Sequence, residues 1–408
     1  MGRNDIRRED LQQIIANQGP SFQTLDVAEA ERLHHQYPEL VPLSTYKSLV
    51  GRALSAHHVA LAITRGSMKK PRGMVWHKQT QRTALAPAHA PPLSPSFEEK
   101  AGTNATGIGP QRPGDKPFTA RLRLHQSWYR ACVLQVPCGT GPKPLSTRKL
   151  GNMLTRADGA ENRNFLTPEI AQVARARLQQ GRCVEPFRLC HNLLSSQPMC
   201  FNLFSPLALD RRLAATLLPS LVPERIAEVT RVSIEWAPEP ARAYLADKTS
   251  FDTFIEYRAT DGRLCALGIE TKLTDSFSQK LCDGEKYRRW MRAPVRPWRP
   301  EADPHVSAIA HNQLWRNHLL AVALRDRPQS HYATSRLLVV HHPGDHECVR
   351  VCAGYRALLC DGDDTMSALS LDRIIDAWSS LTQDPAHTAW LQAFQIRYLD
   401  LKRSADAR

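Results

Sequence analysis

The clearest alternation of apolar and polar positions lies between Val232 and Lys272. "VSIEWA" sets Val232, Ile234 and Trp236 against Ser233 and Glu235, a two-residue period that predicts a strand. "FDTFIEY" and "LCALGIETK" follow, joined by "RATDGR", and predict a β-hairpin. "RLLVVHH" (336–342) is a short unbroken apolar run and predicts a buried strand. Around these segments the spacing becomes helical. "HVSAIAHNQLWRNHLLAVAL" predicts a helix on which Val306, Ile309, Ala310, Gln313 and Leu320 share a face. In "LSLDRIIDAWSSL", Leu371, Ile374, Ile375 and Trp378 share a face and Ser370 is the expected cap. Thr167 followed by Pro168 marks another helix start. "TAWLQAFQIRYLDL" closes the chain as a helix. Strands interleaved with helices predict an α/β body with a central mixed sheet flanked by helices.

The N-terminal part reads differently. Residues 10–66 carry helix-favouring sequence without strand alternation, so 1–83 is expected to be a small helical module. Residues 84–118 are dense in Pro, Gly, Ala and Thr and are expected to form a linker. The main body is then 119–408.

Composition narrows the function. A chain of 408 residues can bury a sizeable core, and its formal net charge of +14 favours a polyanionic partner, most simply nucleic acid. No run approaches the roughly 20 apolar residues that span a bilayer. The polar N-terminus "MGRNDIRREDLQQ" lacks the apolar core of a signal peptide. The ten cysteines are scattered and form no C-x-x-C pair, which leaves a zinc ribbon unsupported and suggests a reducing, cytoplasmic setting.

The hairpin carries the candidate chemistry. Residues two apart on a strand share a face, so Glu270 and Lys272 point the same way. Whether Asp252 joins them depends on register. A two-residue Asp261–Gly262 loop would set Asp252 opposite Thr271, on the wrong face. A three-residue loop, Thr260–Gly262, would pair Ala259 with Arg263 and set Asp252 opposite Glu270, with Gly262 in the left-handed position. The second register is the one expected. Two converging carboxylates are unfavourable without a cation between them, and hard oxygen ligands suit Mg²⁺ or Mn²⁺.

Asp252, a turn and then Glu270-Thr271-Lys272 on the next strand resemble the PD-(D/E)XK nuclease superfamily, the restriction-endonuclease-like fold. The Pro-Asp of that name is Phe251-Asp252 here. "HQSWYRACVLQVPCGTG", "LLSSQPMCFNLFSPLA", the hairpin and "NQLWRNHLLA" are, in that order, similar to a largely uncharacterised bacterial branch of the superfamily, over roughly 120–400. The resemblance implies metal-dependent phosphodiester hydrolysis, in a DNA nuclease of restriction or defence against foreign DNA. It implies that Asp252 and Glu270 hold Mg²⁺, helped by the main-chain carbonyl of Thr271. It implies that Lys272 orients the attacking water and stabilises charge on the phosphate. Gln313 corresponds to a residue beside the metal site. Glu235 is either an upstream third acid of the metal site or an exposed strand residue.

Beyond the hairpin, "EKYRRWMRAPVRPWR" (285–299) reads as a basic loop with interleaved aromatics. Arg288, Arg289, Trp290, Arg292 and Arg296 are its candidate nucleic-acid contacts. Asn202 reads as an amide tying loops together. The alternative to a nuclease is a non-catalytic nucleic-acid-binding protein retaining the fold. A third reading, compatible with either, is a homodimer or partner-subunit contact through the N-terminal module.

Overall fold

The computed structural model describes residues 107–142, 147–181, 183–292 and 296–407. Nearer the N-terminus it describes 11–12, 15, 21–23, 54, 63–69 and 73–78. The chain divides into two compact units, Met1–Pro95 and Ser96–Arg408.

The first unit contains a three-stranded antiparallel sheet of Ser21–Gln23, Gly73–Lys78 and Ile63–Lys69, with Gly73–Lys78 in the middle. Helix was expected across 10–66, so its strands correct that reading. In the rest of the expected helical stretch Leu11, Gln12, Ile15 and Leu54 are described and are helical, as expected; its other residues lie outside the described residues. Val75, Trp76 and Thr64 are residues that fit a pleated surface, and cross-strand pairing can override weak helix propensity.

The second unit is built on a five-stranded mixed sheet. Its strands are β1 (Ile226–Trp236), β2 (Phe251–Ala259), β3 (Leu264–Lys272), β4 (Thr334–His341) and β5 (Met366–Ser370). The spatial order is β5-β4-β3-β2-β1; β3, β4 and β5 are mutually parallel, while β1 and β2 join antiparallel. The central strands are buried on both faces, which is why "CALGI" and "LLVV" read as continuous apolar runs.

Helices cover both faces. On one face, Cys265, Leu267 and Ile269 of β3 and Leu338 and Val340 of β4 share a core with α1 (Pro168–Gln179), α2 (Ser196–Leu209), Leu371–Leu381 and Pro385–Tyr398. On the other, Ala266, Leu337 and Val339 pack with α3 (Asn312–Asp326), Glu285–Met291 and His346–Arg356. Glu270 and Lys272 have the parity of Ala266, so they face the α3 layer. The Thr167 hydroxyl accepts from the Ile170 amide at 3.3 Å and Pro168 opens α1, as the sequence predicts. Asn202 ties loops, accepting from the Leu166 amide at 2.9 Å and donating to the Asn164 carbonyl and the Tyr398 hydroxyl.

Two local expectations change. Residues 107–116, inside the segment read as linker, are bound to the body: Arg130 donates to the carbonyls of Gly107 and Ile108, and Asp115 pairs with buried Arg123. Residues 84–106 lie outside the described residues. The helix carrying Gln313 starts at Asn312; residues 307–311 form turns, and Ile309 is 48 % exposed. Val306 remains buried, on the short helix Asp303–Val306.

Gly268 of β3 sits against the Phe251 ring, where an added Cβ would lie 2.4 Å from Cζ. Such overpacking costs about 1–3 kcal/mol. Gly268→Ala is therefore expected to lower the urea midpoint of unfolding, and an unchanged curve would contradict this contact.

Candidate active site

The hairpin adopts the three-residue loop. The Ala259 amide donates to the Arg263 carbonyl at 2.9 Å, and Gly262 takes φ +86°. The ladder pairs Arg258 with Leu264 through Thr253 with Ile269, which sets Asp252 opposite Glu270. Beyond Thr253 the ladder opens, and the Asp252 carboxylate takes the place of a strand carbonyl. Its Oδ2 accepts from the Thr271 amide and hydroxyl, both at 2.7 Å. Among the described residues Oδ1 has no hydrogen-bond donor.

Glu270 is 6 % exposed and is held from three directions. Gln313 Nε2 donates to Oε1 at 2.6 Å and Asn317 Nδ2 to Oε2 at 2.8 Å. These two amides are one turn apart on α3 and form a clamp. The Lys272 ammonium, 5 % exposed, lies 2.8 Å from Oε1 and 4.8 Å above the Phe277 ring. Gln313 Oε1 accepts from the Ser278 amide at 2.7 Å and from Lys272 at 3.3 Å. Gln313 thus links the strand acid, the lysine and the loop after β3. That loop is pinned in turn by Asp275, which accepts from the Ser196 amide and hydroxyl and pairs with Arg188 at 2.9 Å.

Glu235 ends up buried, at 5 % exposure, so the exposed-residue alternative is excluded. Its backbone is left-handed, φ +54°, a strained conformation for a non-glycine residue. Arg177 donates to its carbonyl, and Gln197 Nε2 donates to its Oε1 at 2.8 Å. With Asp252, Glu270, Lys272, Gln313 and Asn317 it lines a polar cleft of about 430 Å³, which Arg188, Lys248 and Arg316 also enter.

The electrostatics show an excess of negative charge. Burial and then the neighbouring charge of Glu270 push the Asp252 carboxyl up to about 7; the Thr271 hydrogen bonds and Lys272 only partly oppose this. Burial and the charge of Asp252 push Glu235 well above the usual carboxylate range. Burial by itself would lower the Lys272 ammonium, but the charge and hydrogen bond of Glu270 outweigh it and the net shift is upward. Lys272 therefore stays charged. A crowded acid set with one buried ammonium fits a hard divalent cation beside Asp252 and Glu270, approached through the free Asp252 Oδ1. Among the described residues, no three His, Cys, Asp or Glu side chains form a ligand cluster; Glu235 lines the same cleft as Asp252 and Glu270.

Residues 113–400, more than half of the chain, match the family model of the PD-(D/E)XK nuclease superfamily. The chain belongs to that superfamily. No curated protein matches it, and no solved structure does. Within the matched residues, the acid before the hairpin turn, Asp252, and the acid and lysine after it, Glu270 and Lys272, line one cleft.

The arginine-rich stretch does not join this PD-(D/E)XK cleft. Glu285–Met291 is a helix rather than a loop, and internal partners take up the basic groups. Arg288 pairs with Asp283 and donates to Ser307, and Arg289 donates to the Tyr244 carbonyl. Trp290 donates to that carbonyl too, Arg292 pairs with Glu285, and Arg296 pairs with Asp303. None of Arg288, Arg289, Trp290, Arg292 and Arg296 lines the cleft. The aromatics are core residues: Tyr287 and Trp298 are buried. Acids at 283, 285 and 303 are close enough in sequence to have signalled this pairing. Asn317 was also legible, as the residue one turn after Gln313. Gln197 and Asp275 carried no local signal, because their partners lie on distant elements.

Among the described residues all ten cysteines are free, and no helix is long and apolar enough to cross a membrane.

Proposed function

We propose that the protein is a divalent-metal-dependent nuclease that hydrolyses phosphodiester bonds of DNA. The observation that carries this reading is the convergence of Asp252, Glu270 and charged Lys272 in one cleft. Membership of a nuclease superfamily and the net charge of +14 support a nucleic-acid substrate. The choice of DNA and a place in restriction or defence extend the restriction-endonuclease resemblance.

In this reading Asp252, Glu270 and the Thr271 carbonyl hold Mg²⁺ or Mn²⁺. The bound cation supplies Lewis-acid stabilisation of the phosphate and lowers the pKa of an attacking water. The chain's own residues do the rest. Thr271 fixes the Asp252 carboxylate in one orientation. Gln313 and Asn317 fix Glu270. Lys272 offers a fixed positive charge to a phosphate oxygen and a donor that orients the water. It needs no reorganisation at the moment of reaction, because Glu270, Gln313 and Phe277 already hold it. Arg188, Lys248 and Arg316 attract the substrate backbone.

Supercoiled and linear DNA are expected to be cut in Mg²⁺ or Mn²⁺, and EDTA is expected to stop the reaction. RNA of matching sequence is the comparison. Absence of cleavage of any nucleic acid in either metal overturns the nuclease reading, and faster cleavage of RNA overturns the choice of DNA.

A further inference from the structure

A second concavity, about 1030 Å³, runs along the open edge of the sheet. β1 is an edge strand, hydrogen-bonded to β2 alone within the sheet. Residues 231–234 and 236–237 of β1 and the loop after it line the groove. So do Arg177 of α1, on one side, and Arg327 and Tyr332 beyond α3, on the other.

The groove carries arginines that have no carboxylate partner among the described residues, unlike several arginines elsewhere in the body. Arg188, Arg288, Arg296 and Arg336 each pair with a carboxylate. Among the described residues, Arg177, Arg231 and Arg327 do not. Arg177 donates to the Gln180 side chain and the Glu235 carbonyl, and its buried Nε has no partner. Arg327 likewise leaves a buried Nε without a partner, and its guanidinium lies 5.2 Å over the Tyr244 ring. Arg231 is exposed and donates only to the Ser233 hydroxyl, at 2.9 Å. Glu239 is the carboxylate among the described lining residues. Uncompensated guanidiniums in a concave surface select a polyanion.

The groove also has a stacking platform. Trp236 is part-exposed and is held rigid by Phe254, with ring centroids 4.3 Å apart and 18° between planes. Residues beside the groove also border the cleft. Trp236 pairs with Phe251, the neighbour of Asp252, and Arg177 grips the backbone of Glu235, whose carboxylate lines the cleft.

We propose that this edge groove binds single-stranded nucleic acid flanking the bond cut in the cleft. Its phosphates lie on Arg231 and Arg327, and a base stacks on Trp236. The proposal rests on the nuclease reading above for its function, though not for its binding. An unpaired strand fits because its base faces are free to stack on an aromatic, whereas a duplex keeps them inside its own stack.

The test is fluorescence anisotropy of a labelled oligothymidylate and of a duplex of equal length, without divalent metal, at several salt concentrations. Arg231→Ala/Arg327→Ala is compared with the wild type, and thermal melting checks that the variant is folded. Exposed Arg231→Ala alone serves as the second variant. The double variant is expected to weaken single-strand binding about tenfold and to lower its salt slope by roughly 1.4, while the single variant loses less. Duplex binding is expected to change less than twofold. Three results would overturn the groove: no single-strand binding by the wild type, unchanged affinity in both variants, or equal losses for duplex and single strand. DNA cleavage is measured in parallel. A wild type that cuts, with variants that bind normally, removes the groove and keeps the nuclease. A wild type that never cuts, with variants that bind poorly, does the reverse.

Discussion

Lys272→Ala is expected to lower DNA cleavage by at least about 10²–10³-fold, the cost of removing one preorganised charge-stabilising donor. The ammonium is almost fully buried, held between Glu270, Gln313 and the Phe277 ring, and kept charged by Glu270. Among the described residues, Lys272 is the basic side chain paired with Glu270. Removing it also leaves Glu270 with only its two amide donors. Some loss of stability is therefore expected, since breaking a buried ion pair exposes the remaining charge to desolvation. Lys272→Met separates the two effects, because it keeps an apolar side chain of similar length and removes the charge. Both variants should be folded by circular dichroism and inactive on plasmid DNA. A Lys272→Met enzyme that cuts at the wild-type rate sinks the assignment of this residue to catalysis.

The second large effect is on pH and metal together. Burial and the charge of Glu270 raise the Asp252 carboxyl from 3.8 to about 7 in the folded protein. The folded value exceeds the unfolded one, so folding favours the protonated acid. The contribution of Asp252 to the stability of metal-free protein is therefore largest below pH about 4, falls as pH rises from about 4 to about 7, and levels off above that. Glu235, shifted in the same direction, adds to this decline. A divalent cation binds the ionised acid, so metal affinity runs the other way. It is expected to rise about tenfold per pH unit below 7 and to level off above it. Mg²⁺ should then raise the melting temperature strongly at pH 8 and hardly at pH 5. Asp252→Asn should abolish most of this dependence and make the metal-free protein more stable at pH 8. Mg²⁺ titrations by calorimetry between pH 5 and 8 provide the check. An affinity independent of pH would show that Asp252 does not hold the ion.

These expectations differ in how directly they come from the chain. The hairpin register was legible because a single turn decides it. Three loop residues ending in Gly262 leave Asp252 opposite Glu270, and two would not. Gln313 was legible as an amide on a helix, although that helix begins later than its apolar spacing suggests. Turns at 307–311 place Ile309 at the surface. The arginine-rich stretch misled for a physical reason. Composition records its positive charge, but Arg288, Arg292 and Arg296, three of its six basic residues, pair with Asp283, Glu285 and Asp303. The N-terminal strands misled for another: propensity is weak, and pairing between strands decides such segments.

Local order alone determined the α/β class, the hairpin with its acid–turn–acid–lysine pattern, and the apolar runs of the central strands. Each follows from side-chain period or turn length, which act over a few residues. Only the tertiary structure decided the environment of those groups. Gln197, Asn317 and Asp275 reach the cleft from α2, α3 and the loop after β3. The buried state of Glu235, the pairing of the arginines and the groove along β1 likewise arise where distant segments pack. Charge, burial and concavity are properties of that packing, and no short window of sequence contains them.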